Sequence, residues 1–180
     1  MSQLHQMQLT YVPVEDRVMF RMNTKTRQEF RFWMTRRYVQ VLWNTVLKLL
    51  KERNDQQLKP TETEAAKPLP EQIKEAALAA EHQKVVEKSD FQTQYQESSY
   101  LPLGESPVLL FSVGVKPGAN GQAILVMSPQ EGQGIEIGLN DQIVHSLCKL
   151  LAETAQKANW ELHLDFNQAS EYLPDQQGLN

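Results

Sequence analysis

At Thr35 the hydrophobic pattern of this chain changes period, and no other feature constrains the fold as much. Before it, Phe30, Phe32 and Met34 recur at every second residue, as in a strand with one buried face. After it, Val39, Leu42, Trp43, Val46, Leu47 and Leu50 recur at steps of three and four, the stripe of a helix over about 36–53. Thr35 stands where an N-cap belongs, its hydroxyl able to accept from an unpaired N–H of the first turn. The same change of period recurs at Asn140, 105 residues further on. Ile135, Ile137 and Leu139 fall under Phe30, Phe32 and Met34, and Val144, Leu147 and Leu151 under Val39, Leu42 and Val46. Agreement across both periods without a gap points to a duplicated architecture, although the side chains themselves share almost no identity.

The remaining elements fit that plan. Residues 7–12, 17–22 and 28–34 alternate apolar and polar positions and predict three strands, joined by the turn formers PVED and NTKTR. Residues 91–96 are a possible strand. PVLLFSVGV, QAILVM and GIEIGL predict three more, with Asn120-Gly121 supplying the positive φ of a tight connection. A helix then follows Asn140 or Asp141, and WELHLDF predicts a last strand. Between the units the composition turns to Gln, Lys, Thr, Glu and Pro, the signature of a linker. Pro70 then opens a helix with a thin apolar face, Ile73, Leu78, Val85 and Val86, expected to pack on the outside or to fray. The expectation is an α+β protein in four parts: a β-meander plus helix at 1–53, a linker and solvent-exposed helix at 54–90, a second β-meander plus helix and final strand at 91–166, and a tail at 167–180. Together they make one compact pseudo-symmetric domain with antiparallel sheets.

A meander followed by a helix, twice in one chain, resembles the repeat of the PUR-type single-stranded nucleic-acid binders and, more distantly, the Whirly class. The resemblance covers residues 7–53 and 91–158 and is one of topology. It implies a binding protein whose sheets contact a single strand.

Charge sharpens that expectation. The net charge of -4 divides unevenly, with ten Lys and Arg against four Asp and Glu in residues 1–53 and eight against eighteen in the rest. A basic amino-terminal third can hold an anion, or it can dock on its own acidic remainder. If Phe30, Phe32 and Met34 face the helix, then Glu29, Arg31 and Trp33 face away, and by the same alternation Arg17, Met19 and Arg21 face away from Val18, Phe20 and Met22. Arg17, Arg21, Arg31 and Trp33 would then share one face, where guanidinium groups serve phosphates and the indole offers a base a stacking surface. Arg36 and Arg37 begin the helix, where the dipole favours acids, as Asp141 does in the second unit. Cations misplaced beside free N–H groups mark a place where a phosphate can be held. The six candidate nucleic-acid contacts are therefore Arg17, Arg21, Arg31, Trp33, Arg36 and Arg37. The competing readings are a protein-interaction or assembly module, such as a homodimer, and a face buried against the second unit with Arg31 paired to Glu136.

Catalytic chemistry finds no pattern to stand on. His5, His82, His145 and His163 have no metal-ligand spacing, and the single cysteine, Cys148, allows neither an intrachain disulfide nor a cysteine cluster. His145 and Cys148 lie three apart on one helix without an orienting third residue. Glu161, His163 and Asp165 read as a solvated strand face. The glycines of KPGANGQ and EGQGIEIG lack the Gly-Lys-Ser/Thr ending of a phosphate loop and read as turns. No catalytic residue, metal or cofactor is expected. No apolar run reaches membrane-span length and the amino terminus has no leader character, so a cytoplasmic protein without membrane contact is expected.

Overall fold

The computed structural model describes residues 3–58 and 69–166. Three strands, β1 (Leu4–Val12), β2 (Arg17–Thr24) and β3 (Glu29–Met34), run antiparallel and lead into helix α1 (Arg36–Gln57). Helix α2 (Glu71–Glu87) follows. The second series is β4 (Val108–Leu109), β5 (Ser112–Pro117), β6 (Ala123–Ser128), β7 (Ile135–Leu139) and helix α3 (Asp141–Lys157). The fold is α+β, with one sheet ordered β1-β2-β3-β4 and another ordered β5-β6-β7.

The change of period does in space what the sequence demands of it. Thr35 Oγ1 accepts from Tyr38 N at 3.1 Å, and 105 residues on Asn140 Oδ1 accepts from Ile143 N at 2.8 Å. Phe32, Met34, Val39, Leu42 and Val46 are buried, and so are Ile137, Leu139, Val144, Leu147 and Leu151, position for position. Both sets enter one continuous core. The helices cross over between the sheets, α1 lying against β5 and α3 against β1. Each sheet therefore has its inner face covered partly by the helix that follows the other sheet, and neither set of apolar side chains is buried without the other.

Several expectations are corrected. PVLLFSVGV is two strands in two sheets. β4 pairs parallel with β3, Phe32 opposite Val108 and Trp33 opposite Leu109, before the chain passes through buried Leu110 into β5. A parallel pair needs a long crossover, and here residues 35–107 provide it. Residues 91–96 form no strand. Asp90 Oδ1 accepts from the backbone of Gln92 and Thr93, an Asx turn that starts an extended strap instead. WELHLDF is not a strand either: Asn159 and Glu161 both have φ of 52°, and Leu164 N bonds back to Leu162 O, which curls the segment. Trp160, Leu164 and Phe166 are nevertheless buried and Leu162 partly so. Trp160 Nε1 donates to Asp16 Oδ1 at 3.0 Å, and Phe166 packs 5.5 Å from the Trp43 ring. The expected tail at 167–180 lies outside the described residues, as does 59–68 of the expected linker.

Helix α2 is more firmly held than its thin apolar face foretold. Leu78 is fully buried, Asn54 Nδ2 donates to Lys74 O at 2.9 Å, and Lys51 and Lys74 pair with Glu75 and Asp55 across α1 and α2. Against α3 it presents His82, whose Nδ1 lies 3.1 Å from His145 Nδ1, with the Phe166 ring 4.3 Å from His82.

Candidate functional site

The outer face of the first sheet is best described in cross-strand rows. Strand register places Thr10, Met19 and Trp33 in one row, Gln8, Arg21 and Arg31 in the next, and Gln6, Asn23 and Glu29 in the third. Leu109 extends the first row beyond Trp33. The alternation expected for β2 and β3 holds: Val18, Phe20, Met22, Phe32 and Met34 are buried inside, while Arg17, Met19, Arg21, Arg31 and Trp33 look outward and are half-buried.

The second and third rows are covered by the strap at 94–100. Asn23 Nδ2 donates to Gln96 O at 2.8 Å, and Gln6 Nε2 to Gln94 O at 3.1 Å. Arg21 pairs with Glu97, donates through Nε to Gln8 Oε1 at 3.0 Å, and holds its guanidinium 4.9 Å from the centre of the Tyr95 ring. The hydrogen bond from Arg21, with its charge, holds the Glu97 carboxyl below the usual carboxylate range. Burial pushes the Tyr95 hydroxyl upward. Glu29, expected on an open face, has no exposed side-chain surface. Its carboxylate accepts from Arg31 Nε and from Ser98 N, both at 2.7 Å. A buried carboxylate is tolerable only with such partners, and Arg31 is one of them. Arg31 therefore neutralises its own strand neighbour, while Glu136, once matched to it, pairs with Lys116 across the second sheet.

The first row remains open. Trp33 is half-buried, and its indole N–H has no hydrogen-bond partner among the described residues. Among the described residues Arg17 has one ion pair, with Glu15 at 3.9 Å, and both side chains are partly exposed. Arg36 and Arg37 are exposed at the start of α1, in a first turn that holds no acid. The Arg36 charge acts on Asp16, whose carboxyl is held low first by the Trp160 indole N–H and then by the Tyr11 hydroxyl. Arg37 has no ion pair among the described residues. Of the six sequence candidates, the fold thus leaves Arg17, Trp33, Arg36 and Arg37 at one open end and takes Arg21 and Arg31 into the strap contact.

Sequence reasoning missed three things. The strap is one, since its partners lie about 70 residues away; its only signal was a pair of polar residues, Asn23 and Glu29, at outward positions with nothing to satisfy them. Leu109 and Phe111 are the second, both exposed, Leu109 opposite Trp33, and hidden in an unbroken apolar run. The His82–His145 pair is the third. The Cys148 thiol is buried and pushed up to about 12 by that burial, so it holds its proton at neutral pH. Among the described residues no three His, Cys, Asp or Glu side chains gather as a metal-binding group, and no helix is long and apolar enough to cross a membrane.

No protein-family model, curated protein or solved structure matches this chain.

Proposed function

We propose that the protein is a non-catalytic binding protein that takes single-stranded nucleic acid at the open end of its first sheet. The observation that carries this reading is an outward indole at the end of the sheet where Arg17 begins β2 and Arg36 and Arg37 begin α1, none of the three with an ion pair closer than 3.9 Å among the described residues. A base stacked on the ring gains about 1–3 kcal/mol, and the arginines supply the phosphate contacts. The footprint is shorter than the six residues the sequence offered. A phosphate chain laid along the second row would meet Glu97, so Arg21 and Arg31 serve the strap and not the ligand.

That difference is measurable. Counterion release from a single strand gives a slope of log K against log salt of about -0.7 per phosphate neutralised, so three arginines give about -2 and five about -3.5. Tryptophan emission is a selective reporter, because Trp43 and Trp160 are buried and Trp33 is the indole a ligand can reach. Titration with a short oligothymidylate is expected to quench that emission with a slope near -2, and Trp33→Ala to remove the quench. A protein partner or a second copy on the same residues is the competing reading, favoured by Leu109, 43% exposed beside Trp33. It predicts no quench by oligonucleotide and a dimer in sedimentation that Trp33→Ala dissolves.

A further inference from the structure

Phe111 is 68% exposed, and nothing in the packing of the core accounts for it. Its neighbour Leu110 is buried, so the chain alternates through the crossover and carries Leu109 and Phe111 to the same outer side. The backbone is fixed at both steps: Leu110 N donates to Trp33 O and Phe111 N to Ser128 O, each at 2.9 Å. The ring is thus presented from a pinned backbone where the chain leaves the first sheet for the second. Leu109 is the register partner of Trp33, and Leu110, which still bonds to Trp33 O, joins it directly to Phe111.

We propose that Phe111 is a second stacking platform for the same single strand, so that the ligand crosses from Trp33 over Leu109 to Phe111. The inference rests on the single-strand reading above and assigns the path the strand takes. Two rings on neighbouring backbones offer successive bases two π-faces, and Leu109 between them offers apolar surface to the sugar. This path leads away from Glu97 and keeps the phosphates near Arg36 and Arg37, which begin α1 just beyond the end of β3. On this path the second ring adds affinity without adding charge, so the salt slope stays that of the arginines alone.

The test uses the full chain and a short fluorescein-labelled oligothymidylate, followed by anisotropy at several salt concentrations. Phe111→Ala removes an exposed ring and leaves the core intact. It is expected to weaken binding about 5- to 100-fold with the salt slope unchanged, and Phe111→Tyr, which keeps the π-face, to bind within about twofold of the parent. If Phe111→Ala binds like the parent while Trp33 emission still quenches, the proposal is overturned and the single-strand reading stands. A parent protein that neither binds nor quenches overturns both. A dimer that Phe111→Ala dissolves, in a parent that ignores the oligonucleotide, assigns the ring to a protein contact and overturns the proposal as well.

Discussion

The strand-to-helix unit at 29–57 and its counterpart at 134–157 agree inside and disagree outside. Inside, Phe32, Met34, Val39, Leu42 and Val46 correspond to Ile137, Leu139, Val144, Leu147 and Leu151, all buried. Outside, Arg31 stands over Glu136, Trp33 over Gly138, Arg36 over Asp141 and Arg37 over Gln142. The second unit keeps its local rules: Asp141 is the acid a first turn prefers, and Lys116 neutralises Glu136. The first unit breaks them, with two arginines in the first turn of α1 and a tryptophan turned outward. Those core positions are fixed by packing in both places, and the contrast lies outside them. A departure that costs helix stability and forms no close ion pair among the described residues is where a ligand is to be sought.

The comparison is first open to attack through the core. Leu42→Ala and Leu147→Ala occupy corresponding buried positions, and each is expected to cost about 2–5 kcal/mol in urea denaturation, with a single transition in both cases. Two separated transitions would mean that the units stand alone and the shared core is not shared.

A second prediction concerns α2, which has no counterpart in the comparison. At 3.1 Å one Nδ1 of the His82–His145 pair must donate and the other accept, so the pair is built for two neutral rings. Burial lowers His82 to about 4, helped by His145 and Lys149, and burial lowers His145 too, against the pull of Asp141. A folded pKa below the unfolded 6.5 means that the unfolded chain binds the extra proton. Stability is then whole above pH 6.5 and falls as pH drops toward 4, by about 1–2 kcal/mol once solvent screening of the half-buried His82 ring is allowed for. The carboxylates held low, Asp16, Asp90 and Glu97, lose their contribution only below that window. Thermal melts should show the decline, and His82→Leu should flatten it; an unchanged decline would place its origin elsewhere.

How much of this was legible in the sequence follows from the range of each interaction. The cap at Thr35 bonds to Tyr38 and the stripe repeats every three or four residues, so the register could be read locally. The outward set of β2 and β3 could be read too, because pleating alternates without reference to a partner. What covers those residues could not. Arg21 and Glu97 are separated by 76 positions, and Ser98 and Glu29 by 69. Nor does an apolar run such as Val108 to Phe111 reveal where its chain changes sheets; Leu110, buried between exposed neighbours, marks the place only in three dimensions. The curled segment after α3 failed for the same reason, its alternation being matched by burial without a strand beside it.

Smaller effects sharpen the contrast between the two helix starts. Trp33→Ala is expected to cost about 1–3 kcal/mol of oligonucleotide affinity while changing folding stability little, whereas the buried Trp43→Ala should cost about 3–5 kcal/mol of stability. Arg37→Asp gives α1 the acid that α3 already has. It should raise stability by about 0.3–1 kcal/mol in urea and weaken oligonucleotide binding at the same time. A gain in stability with binding intact would mean that Arg37 serves neither role.

The most direct test is a map of amide chemical-shift changes on the full chain as a short oligothymidylate is added. The changes should gather at Arg17, Met19, Trp33, Arg36, Arg37 and the 109–111 crossover, and should spare Val126 and Glu136 on the outer face of the second sheet. Changes centred on that second face, or none at saturating oligonucleotide, would contradict the assignment of the open end of the first sheet as the binding surface.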